Sequence, residues 1–187
     1  SVAGHESPTM VVFVWRRDNG YLTTADRRER KMCIRGRNKI TAALPDAIAA
    51  LDVEAWSQAA TGIMTTDTRP KAASTQIEYQ GQMISITGIA KGAGMLKPNM
   101  ATMLAYIATD AAIAPSLLQL MINTAVNSSF NRITVDGDTS TNDACMLVAT
   151  GKAALAQLSS KNEPLYPLLQ DAITSVFIDL AQGLVRD

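Results

Sequence analysis

Between Gly88 and Leu104 the chain reads Gly88-Ile89-Ala90-Lys91-Gly92-Ala93-Gly94-Met95-Leu96-Lys97-Pro98-Asn99-Met100-Ala101-Thr102-Met103-Leu104, a glycine-rich loop and a lysine ahead of a small residue and a threonine. Were the bond between Ala101 and Thr102 to break, Thr102 would gain a free α-amino group beside its own hydroxyl. That pair is a nucleophile with its own base. An α-amino group has a reference pKa of about 7.7–8.0, so near neutral pH an appreciable fraction can take up the hydroxyl proton.

Other residues with chemistry are fewer. His5 is the only histidine and sits in an aperiodic stretch, which gives a Ser–His–Asp arrangement no support. Lys91-Gly92-Ala93-Gly94 lacks the spacing of a phosphate loop and, on its own, reads as a tight turn after a strand. Asp136-Gly137-Asp138-Thr139-Ser140-Thr141-Asn142-Asp143 fails the calcium pattern, because Thr141 stands at the glycine position and Leu147 at the bidentate glutamate position. It reads as a hydrogen-bonded turn near a site. Met64-Thr65-Thr66-Asp67-Thr68 offers hydroxyls and one carboxylate, either as a site or as a polar loop closing a helix. The nine methionines are scattered and read as core fillers.

The elements that must position these groups follow from periodicity. Met10 to Trp15 reads as a strand within an otherwise aperiodic, arginine-rich start. Ile40 to Leu51 and Val53 to Met64 are helix-compatible, with Pro45 shortening or kinking the first and Asp52 capping the second. Thr75 to Tyr79 and Met83 to Ile89 alternate as two strands of a hairpin joined at Gln80-Gly81. Met103 to Ala108 reads as a buried strand, and Pro115 opens a helix to about Asn127. Arg132 to Val135 and Cys145 to Thr150 suggest further strands. From Leu165 to Val185 the apolar residues form one helical stripe. Strands mixed with amphipathic helices predict α+β layers.

Composition sets the bounds. The 187 residues carry a formal charge of zero, which favours neither nucleic acid nor anionic membrane. Residues 1–39, however, hold 9 of the 17 Lys and Arg and only 4 of the 17 Asp and Glu. Cys33 and Cys145 lie far apart, which argues against a zinc site or a disulfide scaffold. No stretch reads as a membrane span or a secretion signal, so a cytoplasmic protein is expected.

Four blocks, Ile63-Met64-Thr65-Thr66-Asp67-Thr68, Gly88-Ile89-Ala90-Lys91-Gly92, Pro98-Asn99-Met100-Ala101-Thr102-Met103-Leu104 and Thr134 to Asp143, occur in one order. Together they resemble the ornithine acetyltransferase family of arginine biosynthesis, the bifunctional glutamate N-acetyltransferases, from about Ile40 to Asp187. The resemblance implies a layered α/β/β/α sandwich, of which this is a partial chain incomplete at both ends. It implies a precursor that cuts itself between Ala101 and Thr102. Residues 40–101 would then end an α chain and residues 102–187 begin a β chain, the two staying associated as a heterotetramer of two α and two β. Thr102 would be the nucleophile of a ping-pong transfer, taking acetyl from N-acetylornithine, or from acetyl-CoA in bifunctional members, and handing it to glutamate. Thr68, Lys91 and Thr102 would contact substrate. No metal or bound cofactor is implied, and the location would be cytoplasmic, or mitochondrial in a fungal member.

Two departures accompany the match. The upstream Thr-Gly pair that supplies the oxyanion hole has no counterpart in residues 1–39, so that hole is unassigned, and the chain stops before the family's Gly-Glu-Gly-Ala-Thr-Lys-like block. Residues 1–39 are either divergent or read in a shifted frame, since codons for Arg17-Asp18-Asn19-Gly20-Tyr21 read one base later allow Gly-Thr-Thr-Gly-Ile. A related N-terminal-nucleophile amidohydrolase, and an inactive fragment retained as an associating subunit, are the alternatives.

Overall fold

The computed structural model describes residues 11–16, 38–94, 103–135 and 143–187. They fall into two compact units, one built from the described residues up to Arg16 and from Ser57 onward, the other from 38 to Trp56.

The larger unit is organised by a five-stranded sheet. Strand β1 is Val11–Arg16, where alternation predicts a strand, although its arginine-rich surroundings carry no such pattern. In the smaller unit, helix α1 covers 38–49 and runs through Pro45, which forgoes its hydrogen bond to the carbonyl of Thr41 without ending the helix there. Helix α2 spans only Trp56–Gly62, shorter than the Val53 to Met64 expected. Asp52 is the reason: its carboxylate accepts the Glu54 N–H at 2.9 Å and its carbonyl the Ala55 N–H at 3.2 Å, which makes a turn ahead of the helix rather than its cap.

Strands β2 (Lys71–Tyr79) and β3 (Gln82–Lys91) form the expected hairpin. Gln80 and Gly81 both take positive φ, 52° and 74°, the signature of a type I′ turn whose twist matches that of the strands. Strand β4 is Leu104–Thr109, helix α3 Pro115–Ser128, strand β5 Ala144–Ala149 and helix α4 Leu165–Val185. The sheet order is β1-β5-β4-β3-β2. Among the described strands only β4 and β5 pair in parallel, and such a pair needs a crossover, which α3 supplies. Arg132 to Val135 is not a strand: a 3-10 turn occupies Phe130–Arg132, and both edges of β5 are already filled by β4 and β1.

Both long helices cover one face, α3 along β1 and β5, α4 along β2 and β3. Alternation in the strands sends Ile84, Ile86, Ala105, Ile107, Cys145 and Leu147 into that layer, each at most 1% exposed. There they meet Leu118, Met121 and Ile122 of α3 and Leu169, Ile173, Val176, Phe177 and Leu180 of α4, all buried. Phe130 and Phe177 pack as a tilted pair with centroids 5.5 Å apart. The class is therefore α+β. Helix α4 is long and apolar enough to cross a membrane by length and composition, but its apolar stripe is the inner wall of this core. The opposite sheet face carries half-buried Leu104, Tyr106, Ala108, Met146 and Val148, the face a sandwich would close with a second sheet.

Candidate functional site

The hairpin decides what meets what. Because β2 and β3 pair over their whole length around a two-residue turn, the start of β2 lies beside the end of β3, with Lys71 opposite Ala90. The loop after α2, which contains Met64 to Thr68 and feeds β2, is thereby delivered to the segment Lys91-Gly92. Two of the motif blocks, Ile63 to Thr68 and Gly88 to Gly92, become one cluster.

At its centre is Asp67, buried at 8% exposure. One carboxylate oxygen accepts the Gly92 N–H at 2.6 Å and a proton of the Lys71 ammonium at 2.6 Å, and the other accepts the Thr65 N–H at 3.1 Å. Burial pushes the Asp67 carboxyl upward, but the hydrogen bonds from Lys71, Gly92 and Thr65 outweigh it and hold the pKa at about 2. The Lys71 ammonium also donates to Asp187, next to the C-terminal end of α4. Lys71 can lie this deep because α4 carries a glycine above it: a Cβ on Gly183 would stand 3.3 Å from the Lys71 Cγ. Gly92 holds φ at 151°, which side-chain-bearing residues rarely adopt.

Of the expected substrate residues, Lys91 ends β3 half-buried, and its ammonium donates to the Thr65 hydroxyl at 3.3 Å. Thr68 is exposed, and both its N–H and its hydroxyl donate to the Asp187 carboxylate. Thr68 and Lys91 are joined through Asp67, which precedes one in sequence and accepts from the residue after the other. Ala101 and Thr102, the expected cleavage site and nucleophile, lie outside the described residues, as does most of the Asp136 to Asp143 run.

The last residue of that run is described. Asp143 is buried and accepts the Met103 N–H at 2.7 Å, while the Ala144 N–H donates back to the Met103 carbonyl at 3.1 Å. The Asp143–Met103 bond spans 40 residues of chain, and the rest of the run, expected as a hydrogen-bonded turn, lies outside the described residues. Sequence reasoning did not single out Lys71 or Asp187 and weighed Asp67 and Asp143 only as members of polar runs. Nothing in local spacing marks a lysine on a strand as the partner of a loop aspartate. The Cys145 thiol is buried, which pushes its pKa well above the usual thiol range, so it offers no thiolate at neutral pH. Among the described residues no group of three His, Cys, Asp or Glu could hold a metal ion.

Residues 36–187 match the model of the ArgJ family, a match that begins after β1. The "Arginine biosynthesis bifunctional protein ArgJ" of Pseudomonas fluorescens (strain Pf0-1) is 55% identical over 149 residues, covering 80% of this chain and 37% of that protein. Its counterpart in Psychrobacter arcticus (strain DSM 17307 / VKM B-2377 / 273-4) is 54% identical over 148 residues, 79% of this chain and 36% of that one. The chain thus spans 37% or less of the length of these curated relatives. Among solved structures, the L-aminopeptidase D-Ala-esterase/amidase of Ochrobactrum anthropi matches with a TM-score of 0.43 at 17% identity, over 61% of this chain and 39% of that one. The PH0078 protein of Pyrococcus horikoshii OT3 matches with a TM-score of 0.41 at 13% identity, over 61% of this chain and 38% of that one. The family match takes in four of the five strands, both long helices and the Asp67 cluster, with more than half the residues identical in curated members: the chain belongs to the ArgJ family.

Proposed function

We propose that this chain serves arginine biosynthesis by transferring acetyl from N-acetylornithine to glutamate, with Thr102 as nucleophile after self-cleavage at Ala101-Thr102. Family membership supplies the pathway and the reaction type. The observation that carries the finer reading is the register of β3 on β4, which sets Lys91 directly opposite Leu104, two residues beyond Thr102 in the chain.

In the proposed maturation, the Thr102 hydroxyl attacks the Ala101 carbonyl, the Ala101–Thr102 carbon–nitrogen bond breaks as its nitrogen takes the hydroxyl proton and becomes the free α-amino group, and water then hydrolyses the resulting ester, releasing the Ala101 carboxylate and restoring the Thr102 hydroxyl. In transfer, the Thr102 oxygen bonds to the acetyl carbon while the hydroxyl proton passes to that amino group. The carbon–nitrogen bond to ornithine then breaks and the departing nitrogen takes the proton. The glutamate amine attacks the acetyl ester, and the proton it sheds returns to the Thr102 oxygen. The Lys91 ammonium pairs with the substrate carboxylate, and Thr68 supplies hydrogen-bond donors. Acetyl-CoA is the alternative donor, the α and β pieces stay associated as a heterotetramer of two of each, and the protein works in the cytoplasm.

The test measures acetyl transfer from N-acetylornithine to glutamate, and intact mass, for this chain and for Thr102→Ala. Fragments 1–101 and 102–187 with transfer in the unsubstituted chain alone are the expected result. Equal transfer by the two proteins would eliminate Thr102 as nucleophile, and release of free acetate without transfer would indicate hydrolysis instead.

A further inference from the structure

We propose that Asp67 is a positioning residue that holds Thr65, Thr68 and Lys91 together as one substrate-binding unit, and that the Thr65 hydroxyl is part of that unit. The inference rests on the proposed roles of Lys91 and Thr68 as substrate contacts.

Asp67 receives three donors from three segments: the Thr65 N–H of its own loop, the Lys71 ammonium of β2 and the Gly92 N–H beyond β3. A buried ion pair with a purely structural task would need Lys71 alone. Here two of the three bonds go to backbone amides that flank the proposed contacts. Gly92 follows Lys91, so its N–H, held at 2.6 Å, fixes the peptide from which the Lys91 side chain leaves. The Thr65 N–H, held at 3.1 Å, fixes the residue whose hydroxyl accepts the Lys91 ammonium at 3.3 Å. Thr68 is bonded to Asp67 through the chain. The Lys91 ammonium is thus referenced to one buried carboxylate at both its root and its tip.

The residue type follows from the donors. A carboxylate is acceptor-only on both oxygens and can satisfy all three. Asparagine would turn an NH₂ toward at least one of these donors and leave that donor unsatisfied, so the two strand ends would no longer share one anchor. One proton of the Lys91 ammonium is engaged by Thr65, and two remain for a substrate carboxylate.

The experiment titrates N-acetylornithine into this chain by calorimetry and measures KM and kcat for transfer. Asp67→Asn alone would leave the buried Lys71 ammonium with Asp187 as its one remaining carboxylate, so the central variant is Asp67→Asn combined with Lys71→Met, compared with Lys71→Met alone and with Thr65→Val. Removing uniform binding raises KM with kcat unchanged, so the double variant should bind and saturate about tenfold more weakly with kcat within about threefold. Thr65→Val, a change at an exposed residue, should weaken binding by roughly two- to fivefold through loss of one hydrogen bond. Lys71→Met alone should weaken it less than the double variant.

An affinity in the double variant equal to that of Lys71→Met alone would overturn the inference, as would a fall in kcat with KM held. If the double variant does not fold, Thr65→Val decides, and unchanged binding there would overturn it. Absence of binding by both the unsubstituted chain and Thr102→Ala would instead overturn the substrate reading itself, before any Asp67 variant is compared.

Discussion

The side chain of Asp143 reaches across to the N–H of Met103, and the next residue, Ala144, donates back to the Met103 carbonyl, so Met103 is held at both its N–H and its carbonyl where β4 meets β5. With Thr102 as the nucleophile proposed above, a slack Met103 would cost reaction geometry, and misplacement of about 1 Å can cost on the order of 100-fold. Asp143→Ala is therefore expected to slow appearance of the 102–187 fragment by about 10- to 100-fold, while Asp143→Asn, which keeps an acceptor oxygen, recovers most of the rate. Intact mass against time reads this directly, and an alanine variant that matures at the original rate would remove Asp143 from the account. Asp67 makes a different prediction. Its carboxyl is held at about 2 against an ordinary value of 3.8, so the unfolded chain takes up this proton before the folded one does. The stabilisation is complete above about pH 4 and is lost as pH falls through about 2, a loss of roughly 2 kcal/mol. Asp187, lowered by its hydrogen bonds to Lys71 and Thr68, acts in the same direction. Urea midpoints between pH 5 and 2 should fall more steeply for this chain than for Asp67→Asn with Lys71→Met, and parallel curves would contradict the assignment.

At the scale of elements, Gly88 shows how one position can control the register of two layers. A Cβ there would lie 2.8 Å from the Ile107 Cγ1 and 3.1 Å from the Leu180 Cδ1, so β3 sits close to both β4 and α4 because it lacks a side chain at that point. Gly88→Ala is expected to lower stability by about 1–3 kcal/mol, the usual range for overpacking. Leu180→Val in the same molecule should recover part of the loss, and a double-mutant cycle from denaturation curves measures the coupling. Additive effects would mean the contact with α4 does not matter. The elements themselves were largely legible. Alternation and a Gln-Gly turn predict the β2–β3 hairpin, Pro115 opens α3, and the stripe from Leu165 to Val185 is α4. What periodicity misses is competition from local hydrogen bonds and occupied neighbours: Asp52 makes a turn that delays α2, and Arg132 to Val135, apolar enough for a strand, finds no free edge beside β5. The Asp67–Lys71 pair was illegible for a related reason. It depends on the parity of β2, which turns Lys71 under α4, and on a glycine 112 residues away that leaves room for it.

At the scale of the molecule, composition and the family match change near the same point of the chain. The basic excess of residues 1–39 ends close to where the family match begins, at residue 36, yet β1 from that same stretch forms the edge of the sheet. In the smaller unit every residue from 38 to 54 is exposed, including Ile40 at 61%, Leu44 at 49% and Ile48 at 64% along one side of α1. A helix of this length is marginal in water without tertiary packing, since nucleation costs more than its few hydrogen bonds return. Opening free energy tracks buried apolar contact, so the two units should separate by stability. Hydrogen exchange on this chain at neutral pH is expected to label amides 42–44 and 46–49 within seconds, while those of β3, β4 and α4, whose inner residues are almost wholly buried, exchange on the timescale of global unfolding. The measurement has a clear contrary outcome. Protection of α1 equal to that of α4 would mean that the side bearing Ile40, Leu44 and Ile48 is covered in solution, and the smaller unit would then have to be counted as part of the folded core.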